Sequence, residues 1–397
     1  GFPPTFENVG ISPNILMKIQ DTTHQLSQAG DFASTALFQL AQDQERVVLT
    51  ASELTEGQQT TLSQRLRQLD GTVQSTEQQL TALVTLPGLR LLTEHWSTWF
   101  PNEAQLQSTL DAILASYTLD WQAGTHTFHL RDQPMVYGIM NITPDSFYDG
   151  GRYQTMDAVL AHVEDMLTAG ADVIEVNGQT TRPGYTEITP ALEIERTVPY
   201  IDAIMKRFPE AVLAIDTYKV PVMQAAVDAG VSIINDVNSF TDDPAKLTLM
   251  AKSNVGLLTM LNGRQFDFKV MTPEMHQFFE ANLNALTAAG IDRNRIAIDQ
   301  GLGYADTKVK NDDQDYVIMN NVGKFNDLNR PMMVAVSRKG YMGTLLDIPK
   351  DQRLPMTLVS ETAMILNGGR IIRVHDVKET RQMVTLLKRI GEGYWLK

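Results

Sequence analysis

Eight short apolar runs, each followed by polar residues, dominate the sequence from about residue 134 onward. They start 20 to 39 residues apart, which leaves room for a helix in each gap. Near-continuous apolar strands that alternate with helices indicate a parallel sheet covered on both faces. The predicted strands lie at 136–140, 173–176, 212–215, 232–234, 257–261, 296–298, 333–336 and 371–374.

Eight strand–helix units over residues 134–397 fit a (β/α)8 TIM barrel, whose usual length is about 250 residues. A doubly wound sheet is the competing fold, but it normally has fewer strands and a glycine-rich turn after the first one. Here Asn141-Ile142-Thr143-Pro144 follows the first strand. We therefore predict a barrel, with helices between the strands, for example at 156–169, 220–229, 273–289 and 356–366.

Residues 1–124 differ from the rest because they contain 16 glutamines and no recognisable catalytic motif. Their apolar spacing predicts helices within 32–49, 56–69 and 106–114 and short strands at 47–49, 71–73 and 80–84. We predict a small α/β or mostly helical N-terminal domain of unknown role over residues 1–120. The barrel domain is expected over residues 121–397.

Composition excludes several classes of function. The net charge of −14 argues against broad binding of nucleic acid or anionic membranes, which requires a basic surface. The chain has no cysteine, which rules out thiol nucleophiles, iron–sulfur clusters and zinc–thiolate sites. No apolar run approaches the length of a membrane span and the start of the chain does not resemble a signal peptide, so we expect a cytoplasmic protein.

Polar residues at the predicted strand ends indicate an active site, because TIM barrels carry their sites at the carboxyl ends of the strands. Taken one at a time, such residues usually cap a helix or satisfy loop backbone, but convergence of all of them favours a site. The set comprises Asn141, Asp216, Asn235, Asp299, Lys339, Arg373 and His375.

The chemistry of these side chains suggests three roles. Asp216, Asn235 and Asp299 offer hydrogen-bonding groups to a flat heterocycle that carries N–H and NH2 donors. A lysine can place a cation near a ring carbonyl or nitrogen, which is the role expected of Lys339. Two arginines and a histidine suit a phosphate or pyrophosphate, and these are Arg182, Arg373 and His375.

The motifs around these residues resemble those of the dihydropteroate synthases, a family of pterin-binding barrels. The first motif, YGIMNITPDSFYDGG, spans residues 137–151, and the others follow in the same order as in that family. They are TTRPG (180–184), AIDTYK (214–219), IINDVNS (233–239), SRKG (337–340) and RVHDVKET (373–380).

This resemblance implies condensation of 6-hydroxymethyl-7,8-dihydropterin pyrophosphate with p-aminobenzoate to 7,8-dihydropteroate, with release of pyrophosphate, in folate biosynthesis. It also implies a homodimer formed through barrel helices. The residues that it assigns are Asp216, Asn235, Asp299 and Lys339 to the pterin, Arg373 to the pterin ring and leaving group, Asn141 (through Mg²⁺), Arg182 and His375 to pyrophosphate, and Thr181, Pro183 and Tyr304 to p-aminobenzoate.

Several positions depart from the family pattern. Glu175 and Gln179 stand where the family usually has aspartate and glutamate, and Gly340 replaces a common serine. Thr259-Met260-Leu261 and Asp306 are the other departures. Three alternatives therefore stay open: a pterin-binding paralogue without synthase activity, a methyltetrahydrofolate-type methyltransferase, and a binding module in which the barrel is only a scaffold.

Overall fold

The computed structural model of the chain describes residues 17–142, 155–179, 186–305 and 310–396. These residues form two compact units, one made of 17–117 with 392–396 and the other of 118–391. The boundary at residue 120 and the role of the first domain stay predictions. No helix among the described residues has both the length and the apolar character needed to cross a membrane.

The small unit is an α/β structure, which settles the choice between the two predicted types. Its four strands form an antiparallel sheet in the order β1-β2-β4-β3. The strands are β1 (Lys18–Asp21), β2 (Arg46–Ser52), β3 (Thr72–Ser75) and β4 (Gln79–Thr85). The helices are α1 (Phe32–Asp43), α2 (Glu56–Gln68), α3 (Leu86–Trp99) and α4 (Gln107–Ser116).

Local sequence explains where the elements of this unit begin and end. A capping box between Thr55 and Gln58 starts α2. The helical pattern at 32–49 stops at Asp43 because the backbone turns through a left-handed residue, Glu45 (φ 51°), and the β-branched residues that follow join β2. Trp96 is fully buried in the core of this unit.

The larger unit contains the predicted barrel. Eight parallel strands of the described chain close in the order β7 to β14. The strands are β7 (Met135–Asn141), β8 (Val173–Asn177), β9 (Leu213–Asp216), β10 (Ile233–Asp236), β11 (Gly256–Met260), β12 (Ile296–Asp299), β13 (Met332–Val334) and β14 (Gly369–Val374).

Helices cover the outside of the barrel, which buries the strands on both faces. They are α5 (Met156–Thr168), α6 (Pro190–Arg207), α7 (Val220–Asp228), α8 (Pro244–Lys252), α9 (Met271–Ala288), α10 (Asn311–Asn320), α11 (Tyr341–Leu346), α12 (Leu354–Leu366) and α13 (Val377–Gly391). Threonine and aspartate caps followed by proline fix two of the starts, at Thr189 and at Asp243. The TIM barrel expected from the sequence is confirmed.

A two-stranded hairpin, β5 (Asp120–Ala123) and β6 (His126–His129), precedes the barrel. The indole of Trp121 is fully buried and donates to the carbonyl of Arg295 just before β12 (3.0 Å). Ala123 lies against Gly256 at the start of β11, where a β-carbon would come within 2.9 Å of the alanine. The hairpin therefore covers the amino ends of the strands and leaves the carboxyl ends for a site.

Candidate active site

Four of the predicted residues lie where the strand pattern places them. Asp216, Asn235 and Asp299 lie in the last two residues of β9, β10 and β12, and Arg373 is the penultimate residue of β14. Parallel strands end at the same rim of the barrel, so these side chains share one end. The closed strand order brings β14, β7, β8, β9 and β10 into one arc.

Arg373 lies between two carboxylates at the centre of this arc. Its guanidinium forms a salt bridge with Glu175 through Nε (3.0 Å) and Nη2, and Nη2 is 3.5 Å from Asp216. The amide Nδ2 of Asn235 donates to the other oxygen of Glu175 (3.2 Å). One buried network therefore joins strands β8, β9, β10 and β14.

Two acceptor oxygens of this network lack a hydrogen-bond partner within the described residues, namely Asp216 Oδ1 and Asn235 Oδ1. Both atoms are buried. A buried polar atom without a partner costs about 1–3 kcal/mol, and such atoms persist in native proteins where they serve a function. The pair is therefore ready to accept hydrogen bonds from a ligand.

The charges of the network perturb its pKa values. Burial, reinforced by the negative charge of Glu175, raises the pKa of Asp216 to about 8. Burial alone would raise the pKa of Glu175, but Arg373 outweighs it and lowers that pKa below its usual value. Burial would lower the pKa of Arg373, whereas Glu175 and Asp216 together raise it. Strongly perturbed groups gathered at one rim are typical of functional sites.

A second part of the rim consists of the loops after β12 and β13. Asp299 Oδ1 accepts from the backbone of Gly301 (2.8 Å), and burial raises the pKa of this carboxyl. Gly301 has φ +72° and passes so close to the carbonyl of Leu261 that a β-carbon would clash at 2.0 Å. Lys339 donates from Nζ to the carbonyl of Leu302 (2.9 Å), next to that turn.

The neighbouring residue, Arg338, fixes the loop that carries Lys339. Arg338 has a left-handed backbone (φ 54°) and forms a two-pronged salt bridge with Asp376, at 2.8 and 2.7 Å. This pair ties the loop after β13 to the segment after β14. The two consecutive residues therefore differ in function. Arg338 fixes the loop after β13, and Lys339 contacts the loop after β12.

His375 and Tyr304 occupy other loops at this rim. His375 Nδ1 pairs with the hydroxyl of Ser337 (2.9 Å), so the loops after β13 and β14 fix its ring. Tyr304 lies under the guanidinium of Arg264, whose Cζ is 4.4 Å from the ring centroid. Both side chains are partly exposed, as expected of groups that meet a substrate.

Asn141 ends β7, and its Oδ1 is 3.4 Å from Nδ2 of Asn177 at the end of β8. The amide Nδ2 of Asn177 also donates to Glu175 (2.9 Å), which links Asn141 to the central network. The other predicted residues, Thr181, Arg182 and Pro183, lie outside the described residues, as does the substituted Asp306.

Sequence reasoning missed Glu175 and Asn177 as members of the site. Glu175 was recognised only as a departure from a motif, and its position inside an apolar strand, in IEVN, was the signal that a charge must be buried there. Asn177 ends β8 as Asn141 ends β7, and the two are paired in the strand register. A polar residue at the end of a strand is therefore the signal that identifies Asn177.

A second buried charge cluster lies beside the site and differs from it. Lys219 Nζ donates to Gln179 Oε1 (2.7 Å), to the carbonyl of Ile188 (2.6 Å) and to Glu193 Oε2 (2.8 Å). Gln179 Oε1 also accepts from the backbone of Ile188 (2.9 Å). All three donor positions of the ammonium are used, so this cluster is a closed unit that binds the chain after residue 185 to the barrel.

The comparisons with known proteins agree with this geometry. The profile of the pterin binding enzyme family matches residues 137–375. The dihydropteroate synthase of Bacillus subtilis (strain 168) is 34% identical over 278 residues, which cover 69% of this chain and 96% of that protein. A Yersinia pestis dihydropteroate synthase solved in a sulfonamide drug complex superposes with a TM-score of 0.64 at 32% identity, over 69% of this chain and 100% of that one.

A Xanthomonas albilineans dihydropteroate synthase solved with 4-aminobenzoic acid gives a TM-score of 0.63 at 30% identity, over 70% of this chain and 99% of that one. The chain is therefore a pterin-binding barrel enzyme. Within that class it belongs to the dihydropteroate synthase family and is a transferase. The family and the activity expected from the sequence, synthesis of 7,8-dihydropteroate in folate biosynthesis, are confirmed.

Proposed function

We propose that the network around Arg373 binds the pterin ring of 6-hydroxymethyl-7,8-dihydropterin pyrophosphate. The observation that carries this proposal is the pair of buried acceptors, Asp216 Oδ1 and Asn235 Oδ1, for which the described residues supply no donor. A pterin edge carries an NH2 and ring N–H groups, which are the donors that such acceptors require. Asp299, another buried strand-end carboxyl, completes the acceptor set.

Lys339 would complement these acceptors, because its ammonium is a donor only and the pterin also has a carbonyl and ring nitrogens. In the reaction the methylene–oxygen bond breaks, and positive charge spreads into the dihydropterin. Asp216 and Asp299 would favour that charge in their ionised form, which hydrogen bonds from the pterin stabilise, and Arg373 and His375 would stabilise the departing pyrophosphate. The amine of p-aminobenzoate, which is neutral near pH 7, then attacks the methylene carbon. The nitrogen afterwards releases one proton to the departing pyrophosphate or to water, so no strong general base is needed.

The second substrate would lie against Tyr304, with Thr181 and Pro183 on its other sides. The aromatic face of Tyr304 at the rim supports this position. Arg182 would join His375 on the pyrophosphate. The three residues in 181–183 enter the proposal through the family motif alone.

Mg²⁺ is the proposed cofactor, with Asn141 as its protein ligand. Among the described residues no group of three His, Asp or Glu side chains could hold a metal. The amide oxygen of Asn141 at the end of β7 nevertheless fits an ion that keeps several waters and takes its remaining ligands from substrate phosphates. When bound, Mg²⁺ would supply charge neutralisation for pyrophosphate, while Asn177 holds the Asn141 side chain in place.

The proposed homodimer would form through helices α12 and α13. Val359, Leu366, Leu386 and Ile390 are 60–70% exposed on these helices. The two helices contact each other, and large exposed apolar side chains on adjacent elements favour an interaction surface. We also propose a cytoplasmic location, with the domain boundary at residue 120. Light scattering of the full chain at micromolar concentration would return twice the mass of one chain, and a monomer would contradict the dimer.

A turnover assay tests the proposed site. Full-length protein is mixed with Mg²⁺, the dihydropterin pyrophosphate and p-aminobenzoate, and pyrophosphate and dihydropteroate are measured together. We expect equal amounts of both from the wild type, and losses of about 100-fold or more for Asp299→Asn and Lys339→Ala. Asp228→Asn, at the exposed end of α7, is the matched control and should keep full activity.

Each other outcome of this assay has a distinct meaning. Release of pyrophosphate without dihydropteroate would show that the pterin substrate reacts but that p-aminobenzoate is not bound productively. Full activity of both site variants would contradict the assigned residues. Loss of activity in Asp228→Asn to the same degree would show that the losses reflect general damage.

A further inference from the structure

Glu175 is a buried carboxylate at the centre of the site, and the reaction described above assigns it no step. It is the third residue of β8 and lies in register with Ile139 of β7 and Ala214 of β9. Its side chain is fully excluded from solvent. A charge in this position requires partners, and the site residues themselves supply them.

Glu175 makes contacts that set the orientation of Asn235. As a carboxylate it only accepts hydrogen bonds, so the amide of Asn235 must turn its Nδ2 toward Glu175 Oε2 (3.2 Å). The opposite atom, Asn235 Oδ1, is then the one left buried without a partner in the described chain. Glu175 thus determines that Asn235 presents an acceptor, and not a donor, to the ligand.

Glu175 also determines which carboxylate takes Arg373. The guanidinium donates to Glu175 from Nε and Nη2, whereas its approach to Asp216 is longer, at 3.5 Å. Asn177 adds a third donor to Glu175 (2.9 Å). Since Arg373 is engaged by Glu175, Asp216 Oδ1 keeps its acceptor capacity.

We propose that Glu175 is the positioning residue that gives this site its preference for a 2-amino pteridine: it fixes Asn235 as an acceptor and keeps Arg373 from occupying Asp216. A pteridine with an oxygen in place of the 2-amino group presents an acceptor at that edge, and two acceptors repel. This inference rests on the proposed pterin-binding role of the network. It predicts that the charge and reach of Glu175 control ring selectivity as well as affinity.

The test compares two probe rings on the full-length protein. Equilibrium dissociation constants are measured for 6-hydroxymethylpterin and for its 2,4-dioxo analogue. Glu175→Gln keeps the size of the side chain but removes the charge and introduces an NH2, so the Asn235 amide is free to turn and Arg373 to shift to Asp216. We expect the dissociation constant of the pterin to rise about tenfold or more and that of the dioxo ring to change less. The ratio of the dioxo constant to the pterin constant therefore falls.

Glu175→Asp and Glu361→Gln complete the series. Aspartate keeps the charge but withdraws it by one methylene, so we expect a ratio between those of the wild type and Glu175→Gln. If Glu175→Gln fails to fold, the ratio of dissociation constants measured for Glu175→Asp tests the proposal instead. Glu361 is a buried glutamate of α12 that no part of the reaction uses, and Glu361→Gln should leave the ratio unchanged.

The outcomes separate this inference from the proposed function. A wild-type protein that binds neither ring would overturn the pterin site itself. A wild type that prefers pterin, with variants that bind both rings at an unchanged ratio, would overturn only the role of Glu175. Parallel kinetics add a further criterion, because a positioning role raises KM for the pterin substrate, whereas general damage lowers kcat in all the variants alike.

Discussion

Two buried charge clusters stand side by side at the carboxyl ends of β8 and β9, and they differ in one respect. Around Lys219, every donor of the ammonium has a protein acceptor. Around Arg373, the acceptors Asp216 Oδ1 and Asn235 Oδ1 have no donor from the described residues. Buried charges are thus fully paired in the Lys219 cluster, whereas the network around Arg373, the proposed binding site, keeps two acceptors open.

This difference predicts that substitutions in the two clusters have different effects on stability and on turnover. Removing a member of a completed buried ion pair leaves an uncompensated charge, which lowers stability strongly. Removing a member of the open network lowers ligand binding and turnover more than stability, because that network is already incomplete without its ligand.

Lys219→Met should give the largest effect. Glu193, only 1% exposed, would lose its ion-pair partner, and we expect stability to fall by about 3–5 kcal/mol. Urea unfolding followed by circular dichroism measures it. Lys219→Met combined with Glu193→Leu should recover part of the loss, because no charge is then left unpaired. An unchanged unfolding midpoint in the single variant would remove the distinction between the clusters.

Asp216→Ala should give the opposite pattern. Asp216 is proposed to accept hydrogen bonds from the pterin, which stabilise its ionised form. Loss of these bonds costs about 1.5–3 kcal/mol, so kcat/KM should fall by about 10- to 100-fold. The unfolding midpoint should move much less than in Lys219→Met, since burial raises the pKa of Asp216 and its ionisation opposes folding. A large stability loss with normal turnover would show that Asp216 belongs to the support.

The sequence indicated the barrel because its signal is local and repeated. Each predicted strand was mainly apolar and was followed by polar residues, and each one became a strand of the barrel within a few residues. The largest deviations are two residues, at the end of β10, at the end of β13 and at the start of β14. In β13 the ladder to β14 also shifts register between Met332 and Met333. Such a shift depends on the neighbouring strand, which no local pattern records.

Residues of the proposed site could be predicted where they are polar and lie at the end of a strand, as Asp216, Asn235 and Asp299 do. The role of Glu175 was not predictable, because its partners Arg373 and Asn235 lie 198 and 60 residues away in the chain. A motif comparison marked Glu175 as a departure but could not say what it contacts. Pairings of that kind follow from closure of the barrel, not from spacing in the sequence.

Glu361 tests whether a buried oxygen without a partner is enough to mark a site. Its Oε1 has no hydrogen bond from any described residue, yet it lies in α12, and burial raises its pKa to about 8. A raised pKa stabilises the folded state at low pH and loses that contribution as the pH rises through about 8. Glu361→Gln should therefore gain stability relative to wild type as the pH rises from 5 to 8, by up to about 4 kcal/mol, because each pH unit in this window is worth about 1.4 kcal/mol.

Thermal unfolding at several pH values, with pterin binding measured in parallel, checks this expectation. If Glu361→Gln flattens the pH dependence and leaves pterin affinity unchanged, a lone unsatisfied oxygen is a structural cost, and only the cluster of acceptors around Arg373 marks the site. A loss of pterin affinity in this variant would mean that the open network extends to α12.

Gln179→Glu should give the smallest effect. It tests how completely the Lys219 cluster is closed at a single atom, Gln179 Oε1. Gln179 Oε1 accepts from Lys219 and from the backbone of Ile188, and a carboxylate can accept both bonds. The substitution adds a second negative charge beside Glu193 while Lys219 stays the shared cation, so repulsion offsets the stronger bond to lysine. We expect a stability change of about 1 kcal/mol or less, a shift of about 2–4 °C in Tm at most. A much larger loss would mean that the neutral amide is required to keep the cluster closed, and that the exchange from the family's usual glutamate was matched by other changes in this chain.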